Sequence, residues 1–346
     1  MKKTLNGSNG TAHPAPIARK KGASAKTAAR APAKTKQARA KKAKPEAQVP
    51  AQPQTQPAKD PGVRIFQIFY DAWQRDLIDP LFVPLDNRGE PSELLEFDLF
   101  NRLFLSEHVK DVPLWGALSW RFTEKTGLKA GDLLAAIDAN PGHDVYFCNP
   151  YPVNEALFHN LWVQGETSHP DFLRLARAFL GAAGLPTNEV DLIWPSAHYS
   201  AANYFVGNDA FWRAYLSFVG TALRRAEANL PAETRAELHS SRADDNGIHG
   251  GTTYMPFIVE RMFPLFMRTA GRGLKAHKIP LPLAEEQVDV HIRLLKQMKD
   301  AAHAGKSAWL AACWANYRSL YFSQLHGPIW TQKYLRAITP SEIQFG

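Results

Sequence analysis

The stretch GVRIFQIFYDAWQRDLI, residues 62–78, opens the part of the chain that can fold and decides the fold class. Its first half is an almost continuous apolar run, which is typical of a strand buried on both faces. Shorter apolar runs recur at VPLWGALSWRF (112–122), DVYFCNPYP (144–152), VDLIW (190–194) and SAANYFVG (200–207). These runs predict further strands.

Segments with helical periodicity lie between the apolar runs, among them PSELLEFDLFNRLFLSEH (91–108), AGDLLAAIDAN (130–140) and HPDFLRLARAFLGAAGL (169–185). A long helix follows residue 208, PFIVERMFPLFMRTAG (256–271) is another, and the last 60 residues are helical again. Strands that alternate with helices predict an α/β fold, Rossmann-like, with a mostly parallel sheet flanked by helices.

Charge is unevenly distributed along the chain. Residues 1–60 hold 14 Lys or Arg against two acids, whereas residues 61–346 hold 27 bases against 31 acids. The tail has no aromatic residue and almost no branched aliphatic one, so we predict that it is disordered. Such a Lys/Ala/Pro tail can contact nucleic acid or an anionic membrane, or it can simply increase solubility. We expect an α/β domain at 61–275 and a helical extension at 276–346 packed on it.

Several function classes lack their sequence signals. The chain contains no GxxxxGK[ST], GxGxxG, HExxH or GxSxG motif, which argues against P-loop, dinucleotide-binding, zinc-protease and α/β-hydrolase chemistry. It has two cysteines, Cys148 and Cys313, and neither an apolar leader nor a membrane-span pattern. We therefore expect a cytoplasmic protein, with peripheral contact at the inner membrane as one option.

Polar residues stand at the ends of the predicted strands. Arg121 follows LWGALSW, Asn149 closes DVYFCNP, and His198 and Asn203 flank the start of the SAANYFVG strand. Ligands of open α/β sheets bind beyond the carboxyl ends of the strands, and a guanidinium there suits a phosphate. These four residues are thus candidate substrate-binding residues. The alternative for Arg121 is a structural ion pair with Glu124.

Acidic residues in two predicted loops are candidates for catalysis. Glu166 is a candidate base that would accept a proton from a sugar hydroxyl, unless Ser168 merely caps the next helix and leaves Glu166 and His169 in solvent. The Gly-rich loop HSSRADDNGIHGGTTY (239–254) contributes Asp245 as a competing base and His249 as a binding residue. Asp244 and Asp245 could hold Mn²⁺ or Mg²⁺ on a diphosphate, or form a tight turn.

The order of segments resembles that of bacterial polysaccharide-biosynthesis glycosyltransferases that use nucleotide sugars. The resemblance rests on LSWRF (118–122), DVYFCNPYP, ANYFVGNDAFWRAYLSFV (202–219) and HGGTTYMPFIVERMF (249–263), and it spans about residues 63–270. It implies a GT-A-like fold and transfer of a sugar from a nucleotide-sugar donor to a glycan or lipid-linked acceptor. The stretch FCNP lacks the Asp-x-Asp metal motif that many such enzymes carry, which leaves metal dependence open.

Two further functions are compatible with the sequence. One is a non-catalytic binding protein with a degenerate transferase-like domain, docked on DNA or an anionic membrane through residues 1–60. The other is a different α/β enzyme that acts on phosphorylated small molecules, because Arg and Asn at strand ends suit many phosphates.

Overall fold

The computed structural model describes residues 62–89, 92–241, 252–282, 289–335 and 339–345. The predicted disordered tail and the loop residues Asp244, Asp245 and His249 lie outside the described residues. The strands are β1 Val63–Phe69, β2 Val83–Asp86, β3 Leu114–Ser119, β4 Val145–Phe147, β5 Phe205–Gly207 and β6 Ala276–Lys278.

Helices occupy most of the remaining described chain. They are α1 Glu96–Phe104, α2 Phe122–Thr126, α3 Ala130–Asp138, α4 Pro152–Leu157, α5 Leu161–Glu166, α6 Phe172–Ala182, α7 Asp209–Asn229, α8 Ala232–Leu238, α9 Met255–Glu260, α10 Met262–Arg268, α11 Val290–Ala304, α12 Ala308–His326 and α13 Pro328–Tyr334. Short 3-10 turns lie at Ala72–Leu77, Thr187–Val190, Ser196–His198 and Pro340–Glu342.

The six strands form one sheet in the order β2-β1-β3-β5-β4-β6. Strand β5 runs antiparallel to both of its neighbours, and every other pairing is parallel. The predicted α/β fold with a mostly parallel sheet flanked by helices is confirmed. From β1 the chain passes to β2 on one side and then to β3 on the other, so the strand order reverses beside β1.

Side-chain alternation sends the two faces of the sheet into separate cores. Phe66 and Ile68 of β1 belong to the larger core, which includes residues of α1, α6, α7, α9 and α10. In this core Trp115 stacks on Trp212 with ring centroids 4.0 Å apart. Ile65 and Leu118 point to the other face and pack with residues of α2 and α3. Burial of each such side chain contributes about 1.5–3 kcal/mol, so both faces stabilise the sheet.

The C-terminal helices pack on α4 through a lysine amine, a guanidinium and an indole. Lys299 Nζ donates to the carbonyls of Glu155 (2.7 Å) and Phe158 (2.6 Å), and Trp314 Nε1 donates to Ala156 O (2.9 Å). Buried Arg318 donates to Leu157 O. These contacts satisfy carbonyls that the last turn of α4 leaves without helical partners. The predicted division at residues 275 and 276 remains a prediction; β6 begins at Ala276 and pairs with β4.

One predicted strand is wrong. VDLIW (190–194) is not a strand of the sheet, and Ile193 forms a single isolated bridge with Phe345. The amide of buried Asn160 donates to the carbonyls of Glu189, Val190 and Leu192, at 3.3, 3.0 and 2.8 Å. Because a side chain holds these carbonyls, they are not available for a strand ladder.

Other differences concern element ends and the strands of the sheet edges. The helix predicted from residue 256 is divided at Arg261 into α9 and α10, and the loop predicted before α6 contains helix α5. Strands β2 and β6 were not predicted, nor was the antiparallel direction of β5. Both edge strands are short and weakly apolar (VPLD and AHK), so their sequences carry little strand signal.

Candidate active site

The carboxyl ends of β1 and β3 meet at the edge of the sheet where the strand order reverses. In α/β sheets ligands bind at this position, and we call the region beyond the carboxyl ends of β1 and β3 the β1–β3 crevice. Arg121 follows β3 and Asn149 follows β4 at this edge. Because β5 is antiparallel, Asn203, which precedes it, lies at the same edge. The structure therefore brings three sequence-predicted residues to one edge, on different strands.

The turn that carries Arg121 is fixed by a buried glutamine. Gln67 of β1 donates to the carbonyls of Ser119 and Trp120 (both 3.3 Å) and accepts from Asp79 N (3.0 Å). The amide of Trp120 also donates to Ile68 O at 2.9 Å. The chain then enters α2 directly after Arg121. The hydrogen bonds of Gln67 and of the Trp120 amide therefore fix the backbone position of Arg121.

Arg121 forms the ion pair that was the structural alternative for this residue. Its Nε and Nη2 donate to the two carboxylate oxygens of Glu124 at 2.9 and 2.6 Å. This hydrogen bonding raises the pKa of Arg121 and lowers that of Glu124. The guanidinium carbon also lies 5.8 Å from the centroid of the Trp120 ring. The ion pair with Glu124 keeps the Arg121 guanidinium at the surface, where a phosphate can replace the Glu124 carboxylate as its partner.

Partly exposed aromatic residues lie on the segments that follow the carboxyl ends of β1, β3 and β4; we call Tyr70, Trp73, Trp120 and Tyr151 the aromatic rim. Trp73 and Trp120 meet edge to face, with centroids 5.0 Å apart. The Tyr70 hydroxyl donates to Glu96 Oε1 at 3.4 Å, and Tyr151 directly precedes α4. Aromatic faces of this kind stack on nucleobases and other flat or apolar ligand surfaces. The rim therefore offers a ligand platform beside a cation.

Glu260, the last residue of α9, is a carboxylate with a raised pKa at the same side of the molecule. Its side chain is 30 % exposed. Burial raises the pKa of Glu260 to about 6; Arg261 and Lys125 oppose this rise, and the Glu96 carboxylate adds to it. A carboxylate that titrates near neutral pH is suited to general base catalysis. The charges of Lys125 and Glu96 connect Glu260 to α2 and α1, the helices beside the β1–β3 crevice.

Arg261 anchors Glu260 in this position. The buried guanidinium donates to Leu161 O (2.9 Å), Phe257 O (2.7 Å) and Gln164 Oε1 (2.9 Å). It also lies over the ring of Phe172, 4.7 Å from the centroid. These bonds tie the break between α9 and α10 to α5, so the end of α9 cannot rotate freely.

Asn149 is a structural residue of the edge. Its side-chain nitrogen donates to Tyr151 O (3.0 Å) and Glu155 Oε1 (2.8 Å), and its oxygen accepts from Ala201 N at 3.2 Å. Glu155 in turn pairs with Lys278, and with Lys296 at 3.0 Å. The amide of Asn149 is therefore engaged in holding the loops after β4 and before β5 together. Asn203 differs, since its buried Oδ1 has no hydrogen-bond partner among the described residues.

Glu166 caps a helix. One carboxylate oxygen accepts from Asp171 N (3.2 Å) and the other from Leu173 N (2.7 Å), at the start of α6. The cap is therefore Glu166, where the alternative interpretation expected Ser168, and His169, expected in solvent, is buried. With both oxygens engaged by backbone amides, Glu166 is poorly placed to accept a further proton.

His198 lies on a separate cavity. The cavity has a volume of about 280 Å³ and is lined by Lys278, Arg272 and apolar residues of β4 and α10. Burial, together with the positive charges of Arg268 and Lys278, lowers the pKa of His198 to about 4. The imidazole is therefore neutral at pH 7. The cavity lies against β4 and β6, which in the strand order are on the far side of β5 from β3.

A wider cavity of about 750 Å³ opens at the opposite edge of the sheet, between the end of α1 and the starts of β3 and α7. Four of its charged residues form two pairs, Lys110 with Glu107 at 3.1 Å and Arg213 with Asp209 at 2.9 Å. None of the sequence-predicted site residues lines it. The position of the strand ends, and not cavity size, therefore identifies the β1–β3 crevice as the candidate site.

Gln67, Glu96, Trp73 and Glu260 were missed by sequence reasoning. Two of them had a usable signal: Gln67 is the one amide inside an apolar strand, and Glu260–Arg261 is a charged pair inside the apolar stretch MPFIVERMFPLFM. A buried polar group needs partners, so a polar residue in such a run indicates a network. Glu96 and Trp73 carry no comparable signal, because each belongs to an ordinary amphipathic segment.

No metal-binding cluster of three or more His, Cys, Asp or Glu occurs among the described residues. Asp244 and Asp245 lie outside them, so the predicted Mn²⁺ or Mg²⁺ site remains a prediction. Within the same described ranges, no helix is both long and apolar enough to cross a membrane. The chain matches no family model, no curated protein and no solved structure.

Proposed function

We propose that the protein is a glycosyltransferase with a GT-A-like fold that binds a nucleotide-sugar donor in the β1–β3 crevice. The acceptor is a glycan or a lipid-linked sugar of surface polysaccharide synthesis. One observation carries the proposal: Arg121 and the aromatic rim lie at the carboxyl ends of β1 and β3, and Glu260, a carboxylate of raised pKa, interacts electrostatically with Lys125 and Glu96 of the adjoining helices. These are the groups that a diphosphate, a nucleobase and an attacking hydroxyl respectively require.

The donor site draws on Arg121 and the aromatic rim. A nucleoside diphosphate offers a flat base, which stacks on exposed aromatic faces, and oxygens that pair with a guanidinium fork. The Arg121–Glu124 pair is exposed, and such surface pairs contribute only about 0–1 kcal/mol, so a diphosphate can compete with Glu124 at small cost. Asn203 precedes β5 at the same edge, and its buried, unpartnered Oδ1 would reach a sugar or ribose hydroxyl only if the loop before β5 moved.

The chemistry then follows from the position of Glu260. An acceptor hydroxyl attacks the anomeric carbon of the donor, and a new carbon–oxygen glycosidic bond forms. The bond from that carbon to the phosphate oxygen breaks, and its electron pair leaves on the nucleoside diphosphate. The hydroxyl proton passes to the Glu260 carboxylate, while Arg121 and Lys125 counter the negative charge on the leaving group.

Glu260 takes the role that the sequence suggested for Glu166. Glu166 keeps both oxygens on backbone amides of α6, whereas Glu260 is accessible and titrates near pH 6. Asp245 remains a competitor for the role of base. If Asp244 and Asp245 hold a divalent cation, the ion would share the diphosphate charge with Arg121.

The decisive experiment is a thermal-shift screen of the protein against UDP-, GDP- and dTDP-sugars, with and without Mn²⁺, followed by transfer assays with the stabilising donor. A ligand at 100 times its Kd stabilises a protein by about 2.7 kcal/mol, which is easily measured. Arg121→Ala should abolish the shift. Arg177→Ala is the matched control, because Arg177 also forms an exposed, bidentate pair, with Asp191 beside α6. Stabilisation that survives Arg121→Ala, or no stabilisation by any nucleotide sugar, contradicts the proposal.

A further inference from the structure

The cavity beside His198 lies at the carboxyl ends of β4 and β6. Phe147 and Lys278 are the last residues of these two strands and are partners in their parallel register, so both side chains lie on one face of the sheet. Helix α10 and the 3-10 turn Ser196–His198 contribute the other walls of the cavity. Because ligands of α/β sheets bind beyond the carboxyl ends of the strands, this end of the sheet is a position for a second ligand.

The interior of the cavity is apolar. Phe147, Phe263 and Pro264 are buried in its walls, and Met267 and Leu274 are half-buried there. The volume of about 280 Å³ equals that of about nine water molecules. A cavity of about 150 Å³ already holds benzene, and pockets for drug-sized ligands begin at about 300 Å³. The cavity therefore has room for a ring or a short branched chain that carries one small polar group.

Two cations line the cavity, and none of its lining residues is acidic. Arg272 is exposed; its Nε donates to Arg268 O, and its two terminal nitrogens have no partner among the described residues. Lys278 Nζ donates to Glu155 Oε1 and to Ser196 O (2.7 Å). An ammonium group has three N–H donors, so one donor of Lys278 has no partner within the same described ranges. Both cations therefore have donors for a ligand.

The charges around the cavity favour a ligand with one negative charge. Burial, and then neighbouring positive charges, lower the pKa of His198, so a further cation is unfavourable there. Glu155 balances Lys278 and also pairs with Lys296 at 3.0 Å, whereas in the described part of the chain no carboxylate pairs with Arg272. The charge of one guanidinium is left without a counterion, and a carboxylate matches the fork of a guanidinium.

We propose that this cavity is a second ligand site, which binds a small monocarboxylate with an apolar body, such as an aromatic or branched-chain acid. The carboxylate pairs with exposed Arg272 and accepts from Lys278, and the apolar body lies against Phe147 and Phe263. A nucleotide sugar exceeds the volume of this cavity, so the site is distinct from the β1–β3 crevice. The inference is independent of the proposed glycosyl transfer.

The test is ligand-detected NMR on the full chain, with titrations of phenylacetate, isovalerate and hexanoate. At least one of these three acids should bind saturably. For an aromatic acid, phenylacetamide is the matched control ligand, because it keeps the shape of phenylacetate without the charge; it should bind about tenfold more weakly or worse. Inorganic phosphate at the same concentration should not displace the acid, because it has no apolar part.

Two variants assign the binding to this cavity. Arg272→Ala should weaken binding by about tenfold or more, the effect of one lost hydrogen bond between charged groups. Its matched control is Arg224→Ala, since exposed Arg224 of α7 donates to the Thr221 hydroxyl (3.1 Å) and does not line the cavity; this variant should stay within about twofold of wild type. Ala276→Leu extends a side chain into the cavity from exposed β6 and should weaken binding more than about fivefold.

Every variant keeps residues 1–60, so attraction of an acid to the basic tail is the same in all of them. No saturable binding of any of the three acids overturns the proposal, as do equal binding of phenylacetate and phenylacetamide and displacement by inorganic phosphate. Equal affinities of Arg272→Ala and Arg224→Ala also overturn it. Melting temperatures separate loss of the site from loss of the fold; if Arg272→Ala is destabilised, Ala276→Leu decides, and unchanged binding in that variant refutes the site.

Discussion

Replacement of Glu260 by glutamine removes a titrating carboxylate and keeps the shape of the side chain. The pKa of Glu260 is raised to about 6, chiefly by burial. A base acts in its deprotonated form, so transfer should rise with pH through about 6 and level off above about 7. At pH 5 about one tenth of the protein should carry the active carboxylate, against about nine tenths at pH 7.

The assay is kcat/KM for sugar transfer between pH 5 and 8, with the donor found in the thermal-shift screen. Glu260→Gln should reduce kcat/KM by about 10²–10⁴-fold on the plateau and remove the acid limb of the profile. Glu237→Gln is the matched control, because this carboxylate pairs with Arg174 on the surface of α8. It should leave both the plateau and the midpoint unchanged.

The neighbours of Glu260 supply a test that does not delete the base. Lys125 lowers its pKa and Glu96 raises it. Lys125→Met should therefore move the acid limb to higher pH, and Glu96→Gln should move it to lower pH. A wild-type profile that is flat between pH 5 and 7 refutes the assignment, as does a limb that persists in Glu260→Gln. Shifts of the two neighbour variants in the same direction would refute the electrostatic argument.

Four further predictions concern the crevice and its support. Arg121→Ala should raise the donor KM or lower kcat at least tenfold. It should change the unfolding free energy by less than about 1 kcal/mol, because the Glu124 pair is exposed. Steady-state kinetics and urea unfolding check both effects, and a loss of stability without a kinetic effect would contradict the assignment. Gln67→Leu leaves the carbonyls of Ser119 and Trp120 without the amide and should cost roughly 1–3 kcal/mol in denaturant unfolding, with a matching loss of donor affinity. Gly116→Ala would place a methyl group 2.5 Å from Phe205 O, between β3 and β5, and should lower the unfolding free energy by roughly 1–3 kcal/mol or more. An unchanged melting temperature would mean that β3 and β5 are farther apart than this. Burial lowers the pKa of Lys299 to about 7. Between pH 7 and the ordinary pKa of a lysine, the unfolded chain therefore holds a proton on Lys299 that the folded chain has lost, and the unfolding free energy of the wild type should rise with pH. The part of this rise that is due to Lys299 should vanish in Lys299→Met.

The neutral form of Lys299 agrees with its surroundings. An uncharged amine has two N–H groups, and Lys299 Nζ has two carbonyl acceptors at hydrogen-bond distance, Glu155 O and Phe158 O. Lys299→Met should itself cost roughly 2 kcal/mol, because these carbonyls would remain buried without the amine. Urea unfolding at pH 7 and pH 9 measures both the loss and its pH dependence.

Strands and helices with strong periodicity were predictable because their own residues carry the signal. The apolar run of β1 and the amphipathic patterns of α1, α3 and α6 were identified from their letters alone. VDLIW shows the limit of this reasoning: its apolar character correctly predicts burial, yet a side chain from Asn160, 30 residues earlier, takes the carbonyls that a strand would need. The apolar pattern of a short stretch predicts that it is buried, whereas its hydrogen-bond partners can come from distant parts of the chain.

The residues of the candidate site also fall into those that the sequence identified and those that it did not. Arg121 was identified from its position after an apolar strand, and the sheet places it at the reversal of strand order. Glu166, by contrast, had the right chemistry in the sequence, but its oxygens cap α6. Glu260 carried only a weak signal, because its raised pKa comes from burial and from Lys125 and Glu96, which are 135 and 164 residues away in sequence.

The sequence by itself determined the α/β class, the strongest helices and strands, the segregation of positive charge into residues 1–60 and the strand-end position of Arg121. Only the tertiary structure decided that β5 runs antiparallel, that Gln67 fixes the turn before Arg121 and that Glu260 approaches the charges of Lys125 and Glu96. The physical reason is the separation along the sequence over which each kind of interaction acts. Periodicity and turn chemistry act over a few neighbouring residues, whereas strand pairing, desolvation and charge–charge interactions depend on which distant segments the packed core brings together.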